Sequence, residues 1–317
     1  MGTSMVKGHY QFYTADVFTN QPFGGNPLAV FPEAGDLTDA EMQRIANEFN
    51  LSETVFVFPP QAPQHTKRLR IFTPQRELPF AGHPTVGAAL VLANIGAVAC
   101  TSAATSITFE EAIGPIPVTI RTRDGRPSQA QFAVAQLPTF GPPAPAPTDV
   151  AAALSLSVDD LALEALPIQA ASCGIPFLYV PVKHLSGVAR ARVHMPVWEA
   201  CVQAYWAPNF YVFTRETVTP QADVHARMFG PEAGVVEDPA TGSAAAALAA
   251  VLAPTAAQQA GTQHWRIEQG FEMKRPSLIE VEADLSAGAI TAVRVGGQAV
   301  MISQGTLHVR HEGAGQG

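Results

Sequence analysis

The sequence contains few charged residues. They make up 15% of its 317 residues, against about 25% in an average globular protein, while hydrophobic residues make up 47%. This composition excludes general disorder, because such a chain can bury a substantial core. The formal net charge of −8 argues against nucleic acid as the main partner, since phosphate binding needs a basic face. At roughly 150 residues per domain, the length predicts two domains.

Cysteine is scarce, and long apolar runs are absent. The three cysteines, Cys100, Cys173 and Cys201, lie far apart and form no CxxC pair. Such a sparse, odd set is typical of reduced thiols, which predicts a cytoplasmic protein. The amino-terminal residues lack the apolar core of a signal peptide, and the apolar stretch 84–99 is interrupted by glycine and asparagine. It falls short of the roughly 20 residues that span a bilayer, so we expect no membrane partner.

Several catalytic motifs are also missing. The sequence contains no GxxxxGK[ST], GxGxxG, HExxH or GxSxG. These absences remove the support for nucleotide-binding, zinc-protease and serine-hydrolase functions. No cluster of metal-ligand residues is apparent either, and we expect no metal site.

The chain shows mixed α and β patterns. Short aromatic and β-branched runs predict strands in both halves. A capping box at Thr38 to Glu41, followed by apolar residues at helical spacing, predicts a helix over 39–49. Thr219 and Pro220 have the pattern of a helix start and predict a helix over 220–229.

A proline-rich segment, 137–148, has the composition of an extended spacer. It predicts a first domain over 1–136 and a second over 137–317. The end of the chain, near 306–317, is expected to return to the first domain.

Two segments match each other at an offset of 160 residues. Gly82 then aligns with Gly242, and each glycine opens an Ala-rich stretch that is apolar on nearly every side. A helix without a polar face must be buried all round. Chance similarity of Ala-rich helices is the alternative, but the shared Gly-polar opening favours a duplication. The match predicts an α+β fold of two pseudo-symmetric domains, each with β-structure wrapped around a central buried helix.

The first candidate site residues lie where the first buried helix begins. Gly82 permits close approach of a ligand, and Pro84 at the first helical position leaves the following N–H groups free. Such a helix start suits a carboxylate. His83 could shuttle a proton there, or it could simply cap the helix.

The matching segment before the second buried helix contains Asp238. A carboxylate beside a buried helix start costs desolvation energy unless it has a partner or a task. Thr241 and Ser243 follow it, and helix capping is the simplest role for both.

Glu53 stands where a helix is expected to end and a strongly apolar strand begins. Half-burial there would raise the pKa of the carboxyl towards the range useful for proton transfer. An exposed loop acid is the alternative. The segment Phe23 to Pro27 is typical of a turn before a strand, and it could also supply backbone N–H groups to a ligand.

Together these residues suit a site between two domains at which a small anionic molecule loses and regains a proton. Four segments, Gly24 to Val30, Asn50 to Phe56, Glu77 to Thr85 and Glu237 to Ser243, resemble the PhzF-like phenazine-biosynthesis isomerases. They occur in family order, and the general resemblance covers nearly the whole chain. It implies the diaminopimelate-epimerase-like fold, a homodimer and catalysis without a cofactor.

The resemblance also implies roles for individual residues. Glu53 would be the acid/base, and His83 and Asp238 would assist protonation or hold the substrate. Donors to the substrate carboxylate would come from Gly82, Gly242 and Ser243. The best-known family reaction isomerises trans-2,3-dihydro-3-hydroxyanthranilate. Related racemases place a cysteine at each helix mouth, and both mouths here lack one, so a two-thiol racemase is not expected. A non-catalytic binding protein and a carboxylate-based epimerase stay open as alternatives.

Overall fold

The computed structural model describes residues 7–255 and 260–310. Six α-helices lie in these ranges, α1 to α6: Asp39–Phe49, Gly82–Asn94, Pro147–Ala153, Leu185–Arg190, Met195–Cys201 and Gly242–Leu252. Eighteen strands lie there too, β1 to β18: Lys7–Val17, Asn26–Phe31, Glu53–Phe58, Lys67–Phe72, Glu77–Leu78, Ala104–Glu111, Gly114–Arg123, Arg126–Ala133, Thr139–Phe140, Gln169–Ser172, Pro176–Pro181, Phe210–Thr214, Val224–Gly230, Val235–Asp238, Gly261–Gln269, Ser277–Ser286, Ala289–Gly297 and Ala299–Arg310.

The strands form one continuous hydrogen-bonded network that joins the two halves of the chain. In the first half, β1 to β8 pair mostly with sequence neighbours, and β10 to β17 do so in the second. Two antiparallel pairings cross between the halves, β1 with β18 and β8 with β17. The end of the chain therefore runs beside β1 as far as residue 310, and 311–317 lie outside the described residues. The domain division at residue 136 stays a prediction.

The two Ala-rich segments form buried helices, α2 and α6. In α2 every residue from Gly82 to Ala93 is buried, and in α6 every residue is buried except Ser243. Both helices belong to one apolar core that the strands of both halves enclose. The predicted α+β architecture is confirmed. Its physical cause is that a helix without a polar face is most stable when strands shield all of its sides from water. In the described ranges no helix is long and apolar enough to cross a membrane.

The predicted helix over 39–49 is confirmed as α1. The hydroxyl of Thr38 accepts a hydrogen bond from the Glu41 N–H at 3.3 Å, and the Glu41 carboxylate accepts one from the Thr38 N–H at 2.9 Å. This reciprocal pair satisfies two N–H groups at the helix start. The apolar face of α1 packs on β2 and β3 through Phe31 and Phe56.

The predicted helix over 220–229 is wrong, because this segment contains strand β13. All seven residues of β13 are buried between β12 and β15, and Thr219 bonds to the Glu268 carboxylate instead of capping a helix. The polar members of the strand have acidic partners: His225 lies 2.8 Å from Glu268, and Arg227 forms two hydrogen bonds with Glu237. Apolar residues alternate with His225 and Arg227 along this segment, and such alternation is typical of a strand and not of a helix.

The proline-rich segment 137–148 is only partly a spacer. Its start contains β9, which pairs with β10, and its end enters α3 at Pro147. The segment is therefore attached to the sheet of the second half, and proline density alone did not reveal this attachment.

Candidate active site

The first residues of α2 and α6 touch each other. A Cβ atom built on Gly82 would lie 3.4 Å from the Cα atom of Gly242 and 3.3 Å from the ring of Phe132. One built on Gly242 would lie 3.6 Å from the Cα atom of Gly82 and 3.4 Å from the ring of Phe18. A Cβ atom on Gly82 would be crowded against the Phe132 ring, while one on Gly242 would be at ordinary van der Waals distance from its neighbours. The two glycines that match in the sequence therefore lie in contact at the helix starts.

Neither helix start is capped by a side chain. Ala81 and Thr241 occupy the N-cap positions, and neither side chain accepts a hydrogen bond from the helix. The capping roles considered for His83, Thr241 and Ser243 are therefore wrong. Pro84 is the third helical residue and not the first, which still places it in the turn where a missing N–H breaks no bond. The free N–H groups of both helices create a positive potential that suits a carboxylate.

Glu53 and His83 lie side by side. Glu53 opens β3, His83 is in the first turn of α2, and Oε2 of Glu53 lies 3.1 Å from Nε2 of His83. The alignment does not make a hydrogen bond, and neither atom has another partner among the described residues. The Glu53 side chain is 16% exposed, so the alternative of an exposed loop acid is wrong.

The surroundings of these two groups shift both of their pKa values. Burial raises the pKa of Glu53 to about 8, and the negative charge of Asp238 contributes to the increase. Burial lowers the pKa of His83 to about 3. At neutral pH the imidazole is therefore neutral, and most Glu53 carboxyls retain their proton.

Asp238 lies at the end of β14, and two side chains bond to its carboxylate. It accepts hydrogen bonds from the Asn26 amide at 2.8 Å and from the Thr241 hydroxyl at 2.5 Å. Burial raises the pKa of Asp238 to about 6, and these two bonds limit the increase. Asn26 belongs to the first half of the chain, so this contact links the halves at the site.

Gln269, from β15, completes the support of Asp238. Its amide nitrogen donates to the Asp238 backbone carbonyl at 2.7 Å and to the Thr241 hydroxyl oxygen at 3.0 Å. Its carbonyl oxygen accepts from the Tyr211 hydroxyl at 3.1 Å. The start of α6 therefore rests on a connected polar network.

The structure thus brings together the residues that the sequence singled out. Glu53 and His83 are adjacent, Asp238 influences Glu53 through its charge, and the two glycines are in contact. Ser243 is the second residue of α6 and is half-buried, and its hydroxyl makes no hydrogen bond to any described residue.

Two supporting residues were missed. Asn26 stood in the segment Phe23 to Pro27, which the sequence indicated as a turn that could offer backbone N–H groups, with no role for the Asn26 side chain. Gly25 does make that turn with a φ of 57°, and the turn delivers the amide to Asp238. Nothing in the sequence around Gln269 indicated its role, because its partners lie on other elements.

The cysteines do not take part in this arrangement. Cys100 and Cys173 are half-buried against the core and Cys201 is exposed. Burial raises the pKa of Cys173 to about 12, which makes its thiol unreactive at neutral pH. Over residues 7–255 and 260–310, no group of three or more His, Cys, Asp or Glu side chains is arranged to hold a metal ion.

Comparison with known proteins gives a consistent result. The family model described as phenazine biosynthesis-like protein (PhzC-PhzF) matches residues 15–305. The chain is 41% identical over 308 residues to an uncharacterized isomerase of Mesorhizobium japonicum, covering 96% of this chain and 100% of that relative. It is 33% identical over 304 residues to a trans-2,3-dihydro-3-hydroxyanthranilate isomerase of Pseudomonas aeruginosa, covering 95% of this chain and 100% of the relative.

Solved structures show the same similarity. A phenazine biosynthesis protein of the PhzF family from Bacillus anthracis superposes with a TM-score of 0.86 at 28% identity, covering 95% of this chain and 99% of that one. A hydroxyproline epimerase from Agrobacterium vitis superposes with a TM-score of 0.60 at 13% identity, covering 96% and 94%. The second likeness concerns the fold alone.

Proposed function

The chain belongs to the phenazine biosynthesis-like (PhzC-PhzF) family and is an isomerase, and we propose that it moves a proton on a small cyclic carboxylic acid. The substrate type that we propose is trans-2,3-dihydro-3-hydroxyanthranilate. A relative that is 33% identical over 304 residues and bears the name of that activity supports this choice. The observation that carries the mechanism is the unbonded Glu53 carboxyl beside two uncapped helix starts.

The helix starts would bind the substrate carboxylate. The N–H groups of Gly82, Gly242 and Ser243 have no intrahelical partner, because they belong to the first turns of α2 and α6. Both helix dipoles direct their positive ends at the same place, and the Ser243 hydroxyl adds a further donor. A carboxylate bound there would fix the ring relative to Glu53.

Glu53 would carry the proton. Its ionised form removes a proton from one ring carbon, and the electron pair of the broken C–H bond shifts into the ring. The double bond moves, and the protonated Glu53 then gives a proton to another ring carbon. Charge and electrons balance, so no redox partner is needed. A pKa of about 8 keeps both forms of the carboxyl accessible near neutral pH.

His83 and Asp238 would assist in different ways. The neutral imidazole of His83 stands 3.1 Å from the Glu53 carboxyl and can hold either the substrate or the proton in transit. Asp238 raises the pKa of Glu53 through its charge, which makes the ionised Glu53 a stronger base.

The test is an NMR assay in D2O with trans-2,3-dihydro-3-hydroxyanthranilate. The wild type should convert the substrate, and Glu53→Gln should lose turnover by roughly 10²- to 10⁴-fold, as expected for loss of a general acid/base. Glu232→Gln removes an exposed carboxyl and serves as the matched control, with activity unchanged. Turnover retained in Glu53→Gln would refute its role, and ligand binding without turnover in the wild type would favour a non-catalytic binding protein.

A carboxylate-based epimerase is the second candidate. Glu53 and Asp238 come from opposite halves of the chain, and each has a raised pKa. Such an enzyme would remove the optical activity of a chiral α-substituted acid, whereas the proposed isomerase would leave it unchanged. Polarimetry on the same preparation separates the two functions.

A further inference from the structure

A chain of hydrogen bonds leads from β12 to Asp238, beside the start of α6. The Tyr211 hydroxyl lies 3.1 Å from Oε1 of Gln269, and Nε2 of Gln269 lies 3.0 Å from the Thr241 hydroxyl. That hydroxyl lies 2.5 Å from Oδ2 of Asp238. Tyr211, Gln269 and Thr241 are buried, so their polar groups need partners within the protein. The direction in which each of them donates decides which form of Asp238 the site favours.

Two backbone groups fix the orientation of the Gln269 amide. Its nitrogen lies 2.7 Å from the Asp238 carbonyl oxygen, which can only accept, and its oxygen lies 3.3 Å from the Thr241 N–H, which can only donate. A flipped amide would bring two acceptors together at the first contact and two donors together at the second. The group that faces the Thr241 hydroxyl is therefore the Gln269 nitrogen, which donates to it.

The single proton of the Thr241 hydroxyl points at Asp238. The hydroxyl oxygen receives a hydrogen atom from Gln269, and among the described residues its proton has no acceptor besides Oδ2 of Asp238. Oδ1 of Asp238 accepts from the Asn26 nitrogen at 2.8 Å, and the Ala240 carbonyl at 3.1 Å fixes that nitrogen as a donor. Both oxygens of Asp238 thus face donors, which favours its ionised form.

Glu53 has no such chain. Its Oε2 atom has no hydrogen-bond partner in the part of the chain that the structure describes. Burial raises the pKa of Glu53 to about 8 but that of Asp238 only to about 6, in agreement with this difference. The other ionisable groups that interact with Asp238 are Glu237, whose charge raises its pKa, and Tyr211. Burial and the charge of Asp238 raise the pKa of Tyr211, so its hydroxyl stays neutral.

We propose that Gln269 is a positioning residue that sets the direction of this chain and thereby confines proton transfer to Glu53. Because Gln269 is fully buried, it acts through Thr241 and Asp238 and not by contact with a substrate. The inference rests on the proposed function, since it concerns the same proton transfer. It also opposes the carboxylate-based epimerase, which needs a protonated Asp238 in one half of its reaction.

The first test follows the Asp238 carboxyl by NMR in protein with 13C-labelled aspartate. The resonance is identified by its loss in Asp238→Asn. Gln269→Met removes the donor, which frees Thr241 to accept from a protonated Asp238, so the midpoint near pH 6 should rise by about half a pH unit or more. Gln304→Met, at an exposed glutamine on β18, should leave the midpoint unchanged.

A second variant separates this role from a purely structural one. Thr241→Val removes the hydroxyl that donates to Asp238 and should itself raise the midpoint. Adding Gln269→Met to Thr241→Val should give no further rise, because the chain is already broken. Circular dichroism checks that each variant is folded. An unchanged midpoint in Gln269→Met, or an equal rise with and without Thr241→Val, would overturn the proposal.

Neutron diffraction from crystals of the wild-type chain in D2O at neutral pH tests the same direction without a substitution. We expect a deuteron on the Thr241 hydroxyl that points at Asp238, and none on either Asp238 oxygen. A deuteron on Asp238 that points at Thr241 would overturn the proposal, even if the variants failed to fold. Neither measurement uses turnover, so either can fail while the isomerase activity is present, and either can succeed where that activity is absent.

Discussion

The starts of the two central helices, α2 and α6, have similar backbones, but the carboxyl group beside each one has different hydrogen-bond partners. At the start of α2, Glu53 and His83 approach to 3.1 Å, and neither facing atom has a hydrogen-bond partner among the described residues. At the start of α6, Asp238 is held by Asn26 and Thr241. Both carboxyls are shielded from water, yet the pKa of Glu53 is raised to about 8 and that of Asp238 only to about 6. The difference teaches that hydrogen bonds make one carboxylate a fixed charge, while their absence leaves the other free to exchange a proton.

The largest expected effect is a difference in turnover rate between variants of the two carboxyls, Glu53 and Asp238. Glu53→Gln should reduce the rate about 10³-fold, because it removes the proposed proton carrier. At a pH above about 9, where Glu53 is ionised in both proteins, Asp238→Asn should reduce it by no more than about tenfold, since Asp238 acts on Glu53 through its charge and one unit of pKa corresponds to a factor of ten. Steady-state rates with the proposed substrate, trans-2,3-dihydro-3-hydroxyanthranilate, check this order. Equal losses in both variants would mean that both carboxyls carry protons, as in the epimerase alternative.

The next effect is on stability, and it depends on pH. Between the unfolded pKa of about 4.5 and the folded pKa of about 8, folded Glu53 retains a proton that the unfolded chain has lost. Stability from this group is therefore complete below pH 4.5 and is lost as the pH rises towards 8. Glu53→Gln should be more stable than the wild type at pH 8, on the order of a few kcal/mol, with little difference at pH 4.5.

Urea unfolding at several pH values measures this difference. Asp238→Asn should show a smaller gain that develops at lower pH, because the pKa of Asp238 is raised only to about 6. Glu232→Gln, which removes an exposed carboxyl, is the matched control for the substitution itself. A pH-independent difference for Glu53→Gln would show that its carboxyl is ionised in the folded protein.

A smaller effect concerns the bonds around Asp238. Asn26→Ala removes the amide that donates to Asp238 and to the Ala240 carbonyl, which should cost about 1–3 kcal/mol of unfolding free energy. Asn47→Ala removes an exposed amide bond to Pro74 and should cost less than about 0.5 kcal/mol. Urea midpoints of the two variants provide the comparison. Similar midpoints would show that the polar network at α6 contributes little.

The smallest effect is a shift in the pH profile. If ionised Glu53 is the base, kcat/KM should rise through a pKa near 8. In Asp238→Asn this limb should move to lower pH by about one unit or less, because a negative charge that raises the pKa of Glu53 is gone. A limb that stays in place would show that Asp238 does not influence Glu53.

Local patterns in the sequence predicted much of the fold. The capping box at Thr38 gave the bounds of α1, and the absence of a polar face gave the burial of α2 and α6. The segment around β13 was predicted wrongly, because Thr219 and Pro220 look like a helix start. The acids that pair with the strand, Glu237 and Glu268, lie 10 and 43 positions from their partners Arg227 and His225.

The candidate site could also be predicted in part from the sequence. Glu53, His83 and Asp238 lie in compact segments that could be identified from the sequence. Asn26 and Gln269 could not be identified as their supports, because Asn26 bonds to a residue 212 positions away and Gln269 to one 31 positions away. Such contacts are set by the folded chain and not by local spacing. The predicted homodimer and cytoplasmic location stay predictions.

Titration of Glu53 itself tests the central claim most directly. With 13C-labelled glutamate, the carboxyl resonance that disappears in Glu53→Gln can be followed by NMR from pH 4 to pH 10. The account predicts a midpoint near pH 8 in the free enzyme, as expected for a shielded carboxyl without hydrogen-bond donors. A midpoint near 4.5, the value of an exposed glutamate, would contradict it.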